Sequence, residues 1–236
     1  MIRTLWFYVM LFASTVVHAG TAVVAGLLRV PSRPGKVYDW STRDWSKWML
    51  WGAGTPVELI GAEKIPAGPV VYAANHVSMF DIWALAGELP GSVRFVAKQE
   101  LARVPLLGPA MIRAGHVMIE RENKARALEA YERAIATIRS GISAVVFPEG
   151  TRSKTGELLP FKNAPFGLAI SAQVPLVPVY VEGTFRILPK GGFTLRPRTI
   201  RVHVAEPIDT VGMTLADRQA LRKRVYATIA ALAAAH

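Results

Sequence analysis

One short stretch of the chain combines residue types suited to moving a proton. It reads Asn75-His76-Val77-Ser78-Met79-Phe80-Asp81 and follows an apolar run. A histidine takes up a proton near neutral pH. A carboxylate on its other ring nitrogen would orient it and stabilise the imidazolium. On one continuous helix a spacing of five sets the two side chains about 140° apart. They meet only if His76 precedes a helix and Asp81 lies in its first turn, with Ser78 as N-cap. Ser78-x-x-Asp81 is also a capping box, which gives Asp81 a purely structural reading. His76 alone reads equally as a packed histidine at a strand end.

A second stretch suits anion binding. Phe147-Pro148-Glu149-Gly150-Thr151-Arg152-Ser153 directly follows a buried-looking apolar run. A Pro-x-Gly turn at a strand end fits a ligand site in an open α/β sheet. Gly150 permits close backbone approach, and Arg152 offers a planar fork for a phosphate. Two further runs lead to cations, one to Lys98 and one, Gly115-His116-Val117-Met118-Ile119-Glu120-Arg121, to Arg121. A single exposed arginine is ordinarily a solvated surface charge. Three cations in parallel positions suggest one anionic ligand.

Positioning these groups requires strands whose ends converge. Short β-branched runs at 70–73, 93–97, 117–119, 144–147, 176–181 and 199–204 read as strands. Helical periodicity covers 126–139, with Leu128, Tyr131, Ile135 and Ile138 three and four apart. A shorter helix is expected at 166–172. A last one starts at Thr214, with Asp217 completing a capping box. Strands alternating with helices predict an α/β fold, a sheet flanked by helices.

The 236 residues suit one domain with an appendage, divided here into 1–55 and 56–236. The chain has no cysteine, which excludes disulfides, thiolate metal sites and cysteine nucleophiles. There is no G-x-S-x-G elbow and no histidine–cysteine metal spacing. Net charge is +11 and 51% of residues are hydrophobic. Such a chain suits an anionic membrane surface or nucleic acid. No nucleic-acid module is recognisable, so the membrane is favoured.

The oily residues concentrate at the start. From Thr4 to Leu28 the only side chain able to carry charge near neutral pH is His18. A helix of this length reaches roughly 37 Å, against a hydrocarbon core of about 30 Å. Three readings stand: a cleaved signal peptide, a membrane span, and the first arm of a hairpin in one leaflet. Pro31-Ser32-Arg33-Pro34-Gly35 breaks this helix. Beyond it Trp40, Trp48 and Trp51 share one helical side, with Trp45 at its edge. Indole favours the headgroup layer, which predicts a helix lying at the membrane surface; a core aromatic stripe is the alternative. Asp44 projects from the same face and counts against the interface.

At its motifs the chain resembles the glycerolipid acyltransferases, a family that includes the bacterial lysophosphatidic acid acyltransferases. Asn75-His76-x4-Asp81 resembles the first motif of that family, 115–121 the second, 147–153 the third and 176–180 the fourth. The second departs slightly, with Met118 and Ile119 where the family usually has an aromatic and then an aliphatic residue. The resemblance implies a mixed sheet flanked by helices, with an N-terminal membrane-associated helical pair. It implies transfer of an acyl group from acyl-CoA or acyl carrier protein to a lysophospholipid hydroxyl, without cofactor or metal. His76 would be the base and Asp81 its orienting partner. Arg121, Arg152 and Lys98 would bind the acceptor phosphate, while Glu149, Gly150 and Thr151 would shape the acceptor site. Lysophosphatidate is the expected acceptor, with glycerol-3-phosphate or a lyso-ornithine lipid as alternatives and a membrane-anchored hydrolase as a more distant one. The expected location is the inner membrane, catalytic domain on the cytoplasmic side.

Overall fold

The run Val71–Ala74 is buried at every position, which marks a central strand covered on both faces. It lies in a seven-stranded sheet of the computed structural model, which describes residues 1–120 and 123–236. In chain order the strands are β1 (Val57–Ile60), β2 (Val71–Ala74), β3 (Val93–Lys98), β4 (Val117–Ile119), β5 (Ser143–Val146), β6 (Leu176–Glu182) and β7 (Ile200–Val204). Their spatial order is β1-β7-β6-β2-β5-β3-β4. Neighbours are parallel except β6 and β7, so the sheet is mixed, as expected.

The helices are α1 (Ile2–Leu27), α2 (Val37–Ala53), α3 (Phe80–Glu88), α4 (Leu107–Ala114), α5 (Lys124–Arg139), α6 (Ala164–Ala172), α7 (Thr184–Ile187) and α8 (Arg218–Ala235). Successive side chains of a strand point to opposite faces, and β2 separates its residues accordingly. Tyr72 and Ala74 pack with Phe80, Trp83 and Leu85 of α3 and with Met49 and Leu50 of α2. Val71 and Ala73 pack with Ile138 of α5, Phe166 and Leu168 of α6, and Val225 of α8. The result is three layers, helices–sheet–helices.

Two expectations shift in detail. β1 is a seventh strand; its burial alternates, as befits an edge. α8 begins at Arg218, because Asp217 is its N-cap and the N–H and hydroxyl of Thr214 donate back to the Asp217 carboxylate. The capping contact therefore forms one turn ahead of the helix.

α1 and α2 pack on each other and on α3 and α4. Phe7 of α1 lies against Phe80 and Trp83 of α3. A buried ion pair fixes the segment joining α1 and α2. Arg94 of β3, 1% exposed, contacts Asp39 at 2.5 Å and Ser32 at 3.1 Å, and donates to the Ala114 carbonyl. Asp39 also accepts from the Gly35 N–H at 2.6 Å. α1 is the one helix among the described residues long and apolar enough to cross a membrane. Its Trp6, Phe12 and Val17 are exposed, as are Trp40, Trp48 and Trp51 of α2. Trp45 turns inward instead, edge-on to Trp83 and hydrogen-bonded to Thr15. Asp44 is paired with His18 of α1 at 2.9 Å, which accounts for a carboxylate on the aromatic face.

Candidate active site

β2 delivers the first motif. Past its end, Asn75 is buried and exchanges two hydrogen bonds with the backbone of Val181 in β6, at 3.0 and 2.7 Å. This clamp fixes where the chain leaves the sheet. His76 follows, and α3 starts at Phe80 with Met79 as N-cap. Asp81 therefore sits in the first helical turn and reaches back. Its Oδ2 is 2.8 Å from His76 Nδ1 and accepts the Val77 and Ser78 N–H groups at 2.7 and 2.8 Å. Its Oδ1 accepts from the Thr184 hydroxyl of α7. The capping and orienting readings of Asp81 are thus realised by one carboxylate. Ser78 lies one residue before the N-cap yet still caps: its hydroxyl accepts the Phe80 N–H at 3.3 Å and donates to the Leu188 carbonyl at 2.6 Å.

This network sets the histidine tautomer. Asp81 is fully buried, and as a carboxylate it only accepts. Nδ1 therefore carries the proton and Nε2 is left as a free acceptor, the form a general base requires. The ring stacks on Phe147, with centroids 3.9 Å apart and planes 14° apart.

The third motif supports the first from below. The Glu149 Oε1 accepts the His76 N–H at 2.6 Å and Oε2 accepts the Leu159 N–H at 2.9 Å. The Ser153 N–H donates to the His76 carbonyl at 2.9 Å. Burial raises the Glu149 carboxyl to about 7, against the pull of those two backbone donors, and the nearby Asp81 charge adds to the rise. Glu149 lies outside the cavity lining, so its visible work is holding the His76 backbone. Gly150 has φ +73°, a left-handed conformation that costs glycine little.

A cavity of about 330 Å³ opens beside His76. Lys98, Gly150, Thr151 and Arg152 line it together with His76, so the structure brings these expected residues to one place. Arg121 lies outside the described residues. Apolar lining also comes from α1, α2 and α4, with Ala19, Ala22, Trp45, Ala110 and Met111 among its residues.

Sequence reasoning passed over three participants. Thr184 and Lys190 lie beyond the fourth motif, and Lys190 also lines the cavity. His116 lies inside the second motif, where its lining role had no distinguishing spacing. Its Nδ1 accepts the Phe95 N–H at 3.0 Å, and burial, helped by Arg94, lowers it to about 3. It is a neutral ring in the cavity wall.

A 1-acyl-sn-glycerol-3-phosphate acyltransferase of Cocos nucifera is 35% identical over 179 residues, 75% of this chain and 57% of that protein. The alpha form from Homo sapiens is 34% identical over 174 residues, 73% of this chain and 62% of that protein. The chain thus spans about three fifths of the length of these relatives. The structure of the 1-acyl-sn-glycerophosphate acyltransferase PlsC from Thermotoga maritima superposes with a TM-score of 0.80 at 28% identity, covering 97% of this chain and 92% of that one. Residues 56–182, more than half of the sequence, match the acyltransferase family, and the chain belongs to that family.

Proposed function

We propose that the chain transfers a fatty acyl group from acyl-CoA or acyl carrier protein to the sn-2 hydroxyl of 1-acylglycerol-3-phosphate, giving phosphatidic acid for phospholipid biosynthesis. The observation carrying this reading is the oriented His76–Asp81 pair, with His76 lining an apolar cavity that Lys98 and Arg152 also line. His76 Nε2 takes the proton of the acceptor hydroxyl as its oxygen attacks the thioester carbonyl. The tetrahedral intermediate collapses, the C–S bond breaks, and the thiolate leaves. Imidazolium Nε2 returns the proton to the sulfur, and the histidine is neutral again. Asp81 stays ionised throughout and stabilises the imidazolium. A thiol of pKa about 8.5 is a good leaving group, so the route needs neither a covalent enzyme intermediate nor a metal ion.

Residues 1–55 act as a membrane anchor and 56–236 as the catalytic domain. The exposed tryptophans of α2 and the apolar face of α1 seat the protein on an anionic bilayer, where a lysolipid acceptor resides. The proposed location is the cytoplasmic face of the inner membrane, because acyl-CoA and acyl carrier protein are cytosolic.

The test supplies purified protein in vesicles with either donor and a panel of lysolipid acceptors, products being identified by mass spectrometry. Phosphatidic acid formed in step with thiol release is expected. Thioester consumption without any acceptor would instead identify a hydrolase.

A further inference from the structure

Lys190 stands outside every motif, 38 residues beyond Arg152, yet the fold carries it to the cavity. Its Nζ donates to the Thr151 hydroxyl at 3.0 Å and reaches the Arg152 carbonyl at 3.5 Å. Both partners are neutral oxygens. The ion pairs of lysine and arginine among the described residues use Lys64, Arg94, Arg126 and Arg201. Lys98, Arg152 and Lys190 are thus three cations on one cavity with no carboxylate paired to any of them among those residues.

The segment bearing Lys190 is built to hold it still. The Gly192 N–H donates to the Pro189 carbonyl at 2.9 Å and Gly191 has φ +85°. This is a turn with lysine and then glycine at its centre, the glycine taking the left-handed position that side chains disfavour. Pro189 pairs with Ser78 in an isolated bridge, the Leu188 carbonyl accepts the Ser78 hydroxyl, and Thr184 donates to Asp81. The turn and the segment leading into it are therefore tied at three points to the segment containing His76 and Asp81. Gathering unpaired cations this way opposes their mutual repulsion unless an anion joins them. A phosphate monoester, carrying about −1.5 to −2 charges near neutral pH, suits a cluster of this size.

We propose that Lys190 binds the phosphate of the acceptor directly, together with Arg152 and Lys98, and so fixes the distance between that phosphate and the hydroxyl presented to His76. The proposal rests on the acyl-transfer reading for its substrate, and its test has an arm free of that reading. Full-length Lys190→Gln and Lys190→Arg are compared with wild type in vesicles. Lys190→Gln keeps N–H groups for Thr151 and loses the charge. It should raise KM for 1-acylglycerol-3-phosphate roughly ten- to a hundredfold, the scale of one charge-assisted contact. KM for phosphate-free 1-acylglycerol should be unchanged, and Lys190→Arg should recover much of the loss. Without any donor or lysolipid, inorganic phosphate at matched ionic strength should raise the melting temperature of wild type more than that of Lys190→Gln. Equal effects on both acceptors, or an equal phosphate shift in both proteins, would overturn the assignment. So would a Thr151→Val variant reproducing the whole KM increase, since Lys190 would then act only by placing Thr151. If wild type transfers no acyl group, the reaction reading falls while the phosphate shift still decides Lys190.

Discussion

Replacing Asp81 by asparagine separates two jobs of one carboxylate, and the structure sets the size of each effect. Three N–H groups converge on Oδ2: His76 Nδ1, the Val77 amide and the Ser78 amide. An asparagine must place its oxygen there, because its NH2 would face three donors. The oxygen then still accepts from Nδ1, so the histidine keeps its tautomer. What is lost is charge. Each contact falls from a charge-assisted bond to a neutral one, about 1 kcal/mol apiece. Relief from burying an ionised group offsets part of this, leaving a net destabilisation of about 1–3 kcal/mol, or roughly 3–10 °C in melting temperature for a domain of this size. The imidazolium also loses its counter-charge, worth about 1.5–3 kcal/mol, so kcat should fall roughly ten- to a hundredfold. That is far less than the ~10⁴-fold loss in Ser-His-Asp triads, where the same change produces the wrong tautomer. The assay is initial-rate thiol release alongside thermal melting. A 10⁴-fold fall in kcat would refute the locked orientation, and an unchanged kcat would remove Asp81 from the mechanism.

Other consequences are equally direct. His116 is held near 3, below its unfolded value of about 6.5, so the unfolded chain binds more protons between those pH values. Its contribution to stability is complete above pH 6.5 and is lost as pH falls towards 3. His116→Asn, which can still accept the Phe95 N–H, should flatten that acid-side loss in urea titrations. Asp39→Asn leaves Arg94 buried without its counter-charge and should cost roughly 3–5 kcal/mol. The double change Arg94→Met with Asp39→Leu should be milder in thermal melts than Asp39→Asn alone. Serine at Trp40, Trp48 and Trp51 together should weaken binding to anionic vesicles in flotation assays while leaving the melting temperature within a few degrees, because these side chains are exposed.

Much of the architecture was legible because strong local signals agreed. The apolar runs at 93–97 and 117–119 are strands as expected, and the periodicity at 126–139 falls within α5. The residues that share a cavity, His76, Lys98, Gly150, Thr151 and Arg152, were legible for a second reason: Lys98 ends β3, the others closely follow β2 or β5, and parallel strands bring such ends together. What escaped had no local signature. Lys190 is one lysine among many until the Pro189–Gly192 turn and the Ser78 bridge fold it back. Arg94 sits in a run that reads as an ordinary strand, and only tertiary structure supplies Asp39. Asp44 argued against an interfacial helix when α2 was read alone; its partner His18 lies 26 residues away on α1. Glu149 was expected among groups shaping the acceptor site, yet both its oxygens serve backbone donors, a choice that residue type does not reveal.

The proposed reaction depends most directly on His76 as the base. His76→Ala removes Nε2 while Asp81 can keep its contacts with Val77 and Ser78, so the fold should persist. Transfer from acyl-CoA to 1-acylglycerol-3-phosphate, followed as phosphatidic acid by mass spectrometry, should fall at least 10²–10⁴-fold, the contribution of a positioned general base. Loss of one charge-assisted contact to Asp81 should lower the melting temperature by no more than about 10 °C, and vesicle binding should match wild type. A folded His76→Ala protein that retained most of the wild-type turnover would contradict the mechanism.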